Sequence, residues 1–212
     1  MNLDMDRMKQ QIVFIEHLDR LKLVIRQNLL MNESRRENSA EHSWHIATMA
    51  MVLGEYAPQE LDQLRVLKML LVHDVVEIEA GDTFCFDVKG NLDKEERERR
   101  AADLVFGHLP VDLATEFRAL WDEFECGDTA EARFANALDR FQVLLQNFNT
   151  RGGTWRIHGI EKKRVIQRML PIKTGAPSLW PVVESYLEEA CALGMLKDTS
   201  VSQDQIEPLF RR

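Results

Sequence analysis

Residues 66–82 read Val66-Leu67-Lys68-Met69-Leu70-Leu71-Val72-His73-Asp74-Val75-Val76-Glu77-Ile78-Glu79-Ala80-Gly81-Asp82, an apolar segment running straight into an imidazole and a carboxylate. The spacing predicts a helix over about 59–79, ended by Gly81-Asp82-Thr83. On such a helix Glu77 lies four residues beyond His73 and shares its face. An ionised Asp74 behind so apolar a segment needs a partner, and a divalent metal is one.

Further candidate ligands lie on either side of this stretch. His42 stands in Ala40-Glu41-His42-Ser43-Trp44, and Asp139 lies downstream between Phe134-Ala135-Asn136-Ala137-Leu138 and Phe141-Gln142-Val143-Leu144-Leu145. Two imidazoles and two carboxylates form a mixed nitrogen and oxygen set, which suits Mn, Co, Mg, Fe, Ni or Zn and leaves positions for water and substrate. Asp139 beside Arg140 reads equally as a buried ion pair, and His45 reads as a neighbour of His42 on the same helix face. Donors for a phosphate are sought among Arg26, Arg35, Arg36 and Lys89, because guanidinium forks match phosphate oxygens.

The rest of the chain reads as helices. Apolar side chains at helical spacing (Ile12, Ile15, Leu18, Leu21, Ile25, Leu29) predict one amphipathic helix from about Met8 to Met31. Asn38-Ser39 caps a helix from near Glu41 to Tyr56. The mixed-sign run Lys94 to Arg100 reads as a solvated helix face, and Phe134, Leu138, Phe141, Leu145 and Phe148 form a core stripe. Helices are also expected over about 110–125, 161–170 and 179–196, with a flexible joint at Gly152-Gly153. No alternating strand of useful length, repeat or low-complexity tract is read. The expectation is an all-α, single-domain helical bundle over 1–212, with a metal-site core at about 10–150 and C-terminal helices at about 156–200.

Hydrophobic residues make up 45% and charged residues 29%, and no apolar run approaches a membrane span. A net charge of −8 makes duplex nucleic acid a poor partner. Three widely spaced cysteines without a CxxC suit reduced thiols, and no secretory signal is read at the start, so a cytoplasmic protein is expected.

Arg36-Glu37-Asn38-Ser39-Ala40-Glu41-His42-Ser43, His73 through Asp82 and Asp139 together resemble the H…HD…D signature of the HD-domain metal-dependent phosphohydrolases. The surrounding residues resemble the branch that includes the 5'-deoxynucleotidases, and the similarity spans roughly residues 10–150. This resemblance implies an all-helical fold in which His42, His73, Asp74 and Asp139 hold one divalent metal. It implies that Glu77 positions or deprotonates the attacking water and that Asp82 contacts sugar or metal-bound water. Arg26 is the favoured contact to substrate of the four cations above, with Arg36 as a second. The implied reaction removes phosphate from a nucleoside 5'-monophosphate, a small phosphorylated partner, by attack of metal-activated water. The family tends to form homodimers, so self-association is expected.

The chain departs from that branch at Gln27, where a Trp would shape the sugar pocket, and in the loop from Thr83 to Asn91. Two other readings stay open: a metal-binding sensor or interaction protein without turnover, and a hydrolase of another small phosphate ester.

Overall fold

The computed structural model describes residues 4–198. Helix α1 (Met5–Leu18) starts where the Asp4 carboxylate accepts the Asp6 and Arg7 amides, at 3.2 and 3.0 Å. It ends at Leu18, well short of the expected Met31, and gives way to a 3₁₀ turn (Asp19–Leu23) and strand β1 (Ile25–Leu29). β1 pairs antiparallel with β2 (Arg36–Asn38), Ile25 opposite Asn38 and Leu29 opposite Arg36. The expectation of a single long helix without strands is therefore corrected. Ile25 and Leu29 are four residues apart, a spacing that returns to the same side in a strand as well as in a helix. Within α1 the buried side chain is Phe14, while Ile12 and Ile15 face outward.

Helix α2 (Ser39–Leu53) begins with a reciprocal cap: Asn38 accepts the Glu41 amide, and Glu41 accepts the Asn38 amide. The helix expected over 59–79 is two. α3 (Gln63–Val72) is capped by Asp62, and α4 (Glu77–Ala80) follows a turn over residues 73–76. Gly81, with φ of 74°, ends α4. His73 keeps the helical bond to Met69, and His73 and Asp74 both face the same interior site.

Helix α5 (Lys94–Phe106) carries the mixed-charge run, with Arg97–Asp93 and Arg99–Glu95 pairs both at 2.6 Å on its outer face. The solvated-face reading fails at Glu98, which is buried. α6 (Val111–Cys126) and α7 (Ala130–Asn149) follow, and the α7 stripe of Phe134, Leu138 and Phe141 is buried as expected. α8 (Gly153–Ile157), α9 (Lys162–Gly175) and α10 (Trp180–Ala192) complete the described chain. The Gly152-Gly153 joint is pinned: buried Asn147 Oδ1 accepts the Thr154 amide at 2.9 Å and its hydroxyl at 2.7 Å, beside buried Trp155.

Two apolar cores result. One gathers α2, α3, α7, α9 and α10 around Ile46, Leu70, Leu138 and Met169. The other joins α1, α5 and α6 around Phe14, Val105 and Trp121. Val72, Val75 and Val76 belong to the second core and Met69 and Leu70 to the first, so the His73–Asp74 turn sits where the two meet. Among the described residues no helix is long and apolar enough to cross a membrane.

Candidate metal centre and substrate cavity

The α2 cap fixes Ser39 and His42 one helical turn apart, and α7 places Asp139 and Gln142 at the same spacing. His42 Nε2 lies 3.1 Å from Asp139 Oδ1 and 3.9 Å from Asp74 Oδ2. His73 Nε2 lies 3.0 Å from Asp74 Oδ1. One ligand atom from each of His42, His73 and Asp139 falls within 4.8 Å of the others, and Asp74 borders this group. All four residues are buried.

The other ring nitrogens decide the tautomers. His73 Nδ1 donates to the Leu70 carbonyl at 2.9 Å. His42 Nδ1 faces Gln142 Oε1 at 3.3 Å, while Gln142 Nε2 donates to Glu37 Oε1 at 2.8 Å. An amide oxygen only accepts, so His42 carries its proton on Nδ1 and turns the Nε2 lone pair toward the Asp139 carboxylate. Both Nε2 atoms are buried without a hydrogen bond. Two acceptors facing each other at 3.1 Å repel unless a cation lies among them. The donor set, the orphaned nitrogens and the support behind each ring therefore fit a divalent metal.

The charges agree. Burial and the nearby Arg26 push the His42 imidazolium down, so the ring stays neutral. Burial also works against the charged form of His73, yet Asp74 carries its pKa up to about 9; a metal would compete with that proton. Asp74 is held well below the carboxylate range against burial by His73 and Arg26, and Asp139 likewise by Arg140 and His42. Burial lifts Glu77 well above its ordinary value, with Asp74 adding to it, and burial lifts Asp82 too. An unpaired buried carboxylate costs several kcal/mol. Arg26, with Nη1 donating to Asp74 Oδ2 at 2.6 Å and Nε 3.7 Å from Glu37 Oε2, offsets part of that cost.

A cavity of about 250 Å³ opens over these groups, lined among others by Arg26, Gln27, Glu77, Asp82, Phe84 and Arg140. Ser39 donates to Glu77 Oε2 at 2.6 Å, which fixes that carboxyl without drawing it into the metal group. A second hollow of about 420 Å³ shares Gln27 and Phe84 with the first and adds Phe86, His158 and Arg164. The Phe84 and His158 rings lie 4.5 Å apart there.

Of the expected residues, the fold brings together His42, His73, Asp74, Glu77, Asp82, Asp139 and Arg26. Arg36 is exposed on β2, outside the cavity lining, Arg35 pairs with Glu41 on the surface, and Lys89 is exposed. His73 and Glu77 do not share one continuous helix, although both line the cavity. His45 turns to Gln142 at 3.3 Å, away from the ligand group. Ser39, Glu37, Gln142, Lys94 and Glu98 escaped the sequence reading. Ser39 and Gln142 carry a legible signal, each three residues from a ligand on the same helix face.

The profile of the HD domain family matches residues 18–180. Human 5'-deoxynucleotidase HDDC2 is 35% identical over 137 residues, which cover 63% of this chain and 64% of the human protein, just under two thirds of it. The 5'-deoxynucleotidase hdd1 of Schizosaccharomyces pombe is 28% identical over 145 residues, 65% of this chain and 70% of that protein. A crystal structure from Magnetospirillum magnetotacticum, described as a predicted metal-dependent phosphohydrolase, is 51% identical, with a TM-score of 0.86 over 90% of this chain and 95% of that one. The profile match and the buried histidine and aspartate constellation agree, and the chain belongs to the HD domain family.

Proposed function

We propose that the protein is a metal-dependent phosphomonoesterase that removes phosphate from nucleoside 5'-monophosphates, deoxyribonucleotides among them. The observation that carries this reading is the convergence of the buried His42 and His73 Nε2 atoms, which make no well-formed hydrogen bond yet lie 3.1 and 3.0 Å from the Asp139 and Asp74 carboxylates, beside a carboxyl that is not a member of that group, Glu77. The names of the relatives support it: 5'-deoxynucleotidase for the human and yeast proteins, and predicted metal-dependent phosphohydrolase for the bacterial one.

His42, His73, Asp74 and Asp139 would hold the metal, which when bound polarises a phosphoryl oxygen and acidifies water. Glu77, fixed by Ser39, takes the proton of the attacking water. Arg26 keeps Asp74 ionised and oriented. Asp82 and Gln27, both on the cavity wall, face the sugar, and the adjoining hollow with Phe84 and His158 takes the base. Arg36, exposed and outside the cavity, has no part in this scheme. The buried and tethered Glu77 favours a hydrolase over a sensor that has lost turnover.

The same proposal has the enzyme working in the cytoplasm as a homodimer. Three free thiols support the compartment, and the exposed apolar side chains Trp44, Met51 and Val52 on α2 support the pairing. Phosphate release from ribo- and deoxyribonucleoside monophosphates, with each candidate metal supplied in turn, tests the activity. No release with any metal would defeat it, and the ribose-to-deoxyribose ratio reports what Gln27 selects.

A further inference from the structure

Four cationic side chains line the substrate cavity: Arg26, Lys94, Arg140 and Arg168. Three are committed to carboxylates. Arg26 donates to Asp74 at 2.6 Å, Lys94 lies 3.4 Å from Glu98, and Arg140 is paired with Asp139. Arg168, on α9, forms no ion pair with any carboxylate of the described residues, and it shares the cavity wall with the Cys85 thiol. Burial and the adjacent Arg140 both work against its charge. A guanidinium does not lose its proton to relieve such a position; Cys85 and Asp139 offset part of the cost, and with Asp139 already paired to Arg140, the fork of Arg168 is left for an anion in the cavity.

The packing of α9 on α7 makes this placement a fixed one. A Cβ on Gly175 would run into the Arg133 carbonyl, so the two helices touch backbone to backbone at that point. Arg140 lies seven residues after Arg133, and Arg168 lies seven residues before Gly175. In an antiparallel pair both offsets run two turns in the same direction along the contact, which brings the two arginines side by side next to Asp139. The C-terminal helices thus deliver a cation to a centre whose metal ligands all lie at or before residue 139.

We propose that Arg168 is the phosphate-binding cation of this cavity, its guanidinium fork taking the non-bridging oxygens of a phosphomonoester dianion. This inference rests on the hydrolase reading of the same cavity and names the residue that recognises the substrate class. Arg26, held between Asp74 and Glu37, serves to position the metal ligands. Arg140 flanks the phosphate while staying bound to Asp139.

The test is calorimetric titration of the metal-loaded protein with inorganic phosphate, for wild type, Arg168→Met and Arg168→Lys. Arg168→Met is expected to weaken phosphate binding about tenfold or more, the loss of a charge-assisted bidentate contact. Arg168→Lys, which keeps a point charge and loses the fork, is expected to fall between the two. Metal content and melting temperature should match wild type in both, and kcat/KM for a monophosphate should fall in the same order as phosphate affinity. Phosphate bound by Arg168→Met as tightly as by wild type overturns the inference. Should Arg168→Met not fold, equal binding by Arg168→Lys and wild type overturns it instead. The titration requires no turnover, so a wild type that binds phosphate through Arg168 but hydrolyses nothing would defeat the hydrolase reading alone.

Discussion

His42 on α2 and Asp139 on α7 face each other with Nε2 and Oδ1 3.1 Å apart, the ring proton turned the other way toward Gln142. Lone pair opposes carboxylate, and a cation between these elements resolves the opposition. A metal held there would join α2, α7 and the turn after α3, which meet at the junction of the two apolar cores.

Gln142 holds His42 with its ring proton on Nδ1, the tautomer that would leave Nε2 free for a metal, and satisfies Glu37 with its amide. Gln142→Leu is expected to lower metal affinity about 10- to 100-fold, in the range for the loss of a group that orients a ligand. Competition against a chelating indicator measures it, and unchanged affinity would leave His42 without need of that support.

Ser39 is bonded to the catalytic candidate and to no metal ligand. Ser39→Ala should lower kcat about tenfold or more by freeing the Glu77 carboxyl, with metal content and KM close to wild type. A matching fall in metal content would instead assign Ser39 to the integrity of the centre.

Gly175 is where α9 lies against the α7 backbone. Gly175→Ala should force the helices apart at a cost of roughly 1–3 kcal/mol, seen as several degrees in Tm. A variant that melts with wild type would show the crossing to be looser than the Arg133 contact requires.

Burial lifts the Glu98 carboxyl to about 7, despite an opposing pull from Lys94. The folded chain then holds this proton more tightly than the unfolded chain, where a Glu titrates near about 4.3. Stability from this group is fully present below that unfolded value and is lost as pH rises through about 7. Glu98→Gln should therefore melt above wild type at pH 8, by roughly 1–3 kcal/mol in stability, and together with it at pH 4. Equal shifts at both pH values would mean that Glu98 is not the group being titrated.

The sequence was most readable where a local rule had no rival. Asn38 reads as a helix cap, and the structure has it there, with Glu41 returning the bond; the apolar stripe of α7 has a helical period and lies in the core. It misled where two periods coincide, at Ile25 and Leu29, whose strand depends on pairing with residues 36–38 across a turn. It misled again at residues 73–76, where the chain tightens to i→i+3 bonds between α3 and α4 without breaking the apolar pattern. The ligand types of the centre could be named from residue chemistry, whereas Lys94, Glu98 and Arg168 reach the cavity only through tertiary packing. No local pattern marks Glu98 as buried amid the alternating charges of α5.

Whether the site hydrolyses phosphomonoesters is decided by comparing phosphate release from deoxyribonucleoside 5'-monophosphates by wild type and Glu77→Gln, each loaded with the same metal and assayed for metal content. Release by wild type with at least one divalent metal is expected, and its loss in Glu77→Gln at undiminished metal content. Equal release by the two proteins, or none from a wild type that holds its metal, would contradict it.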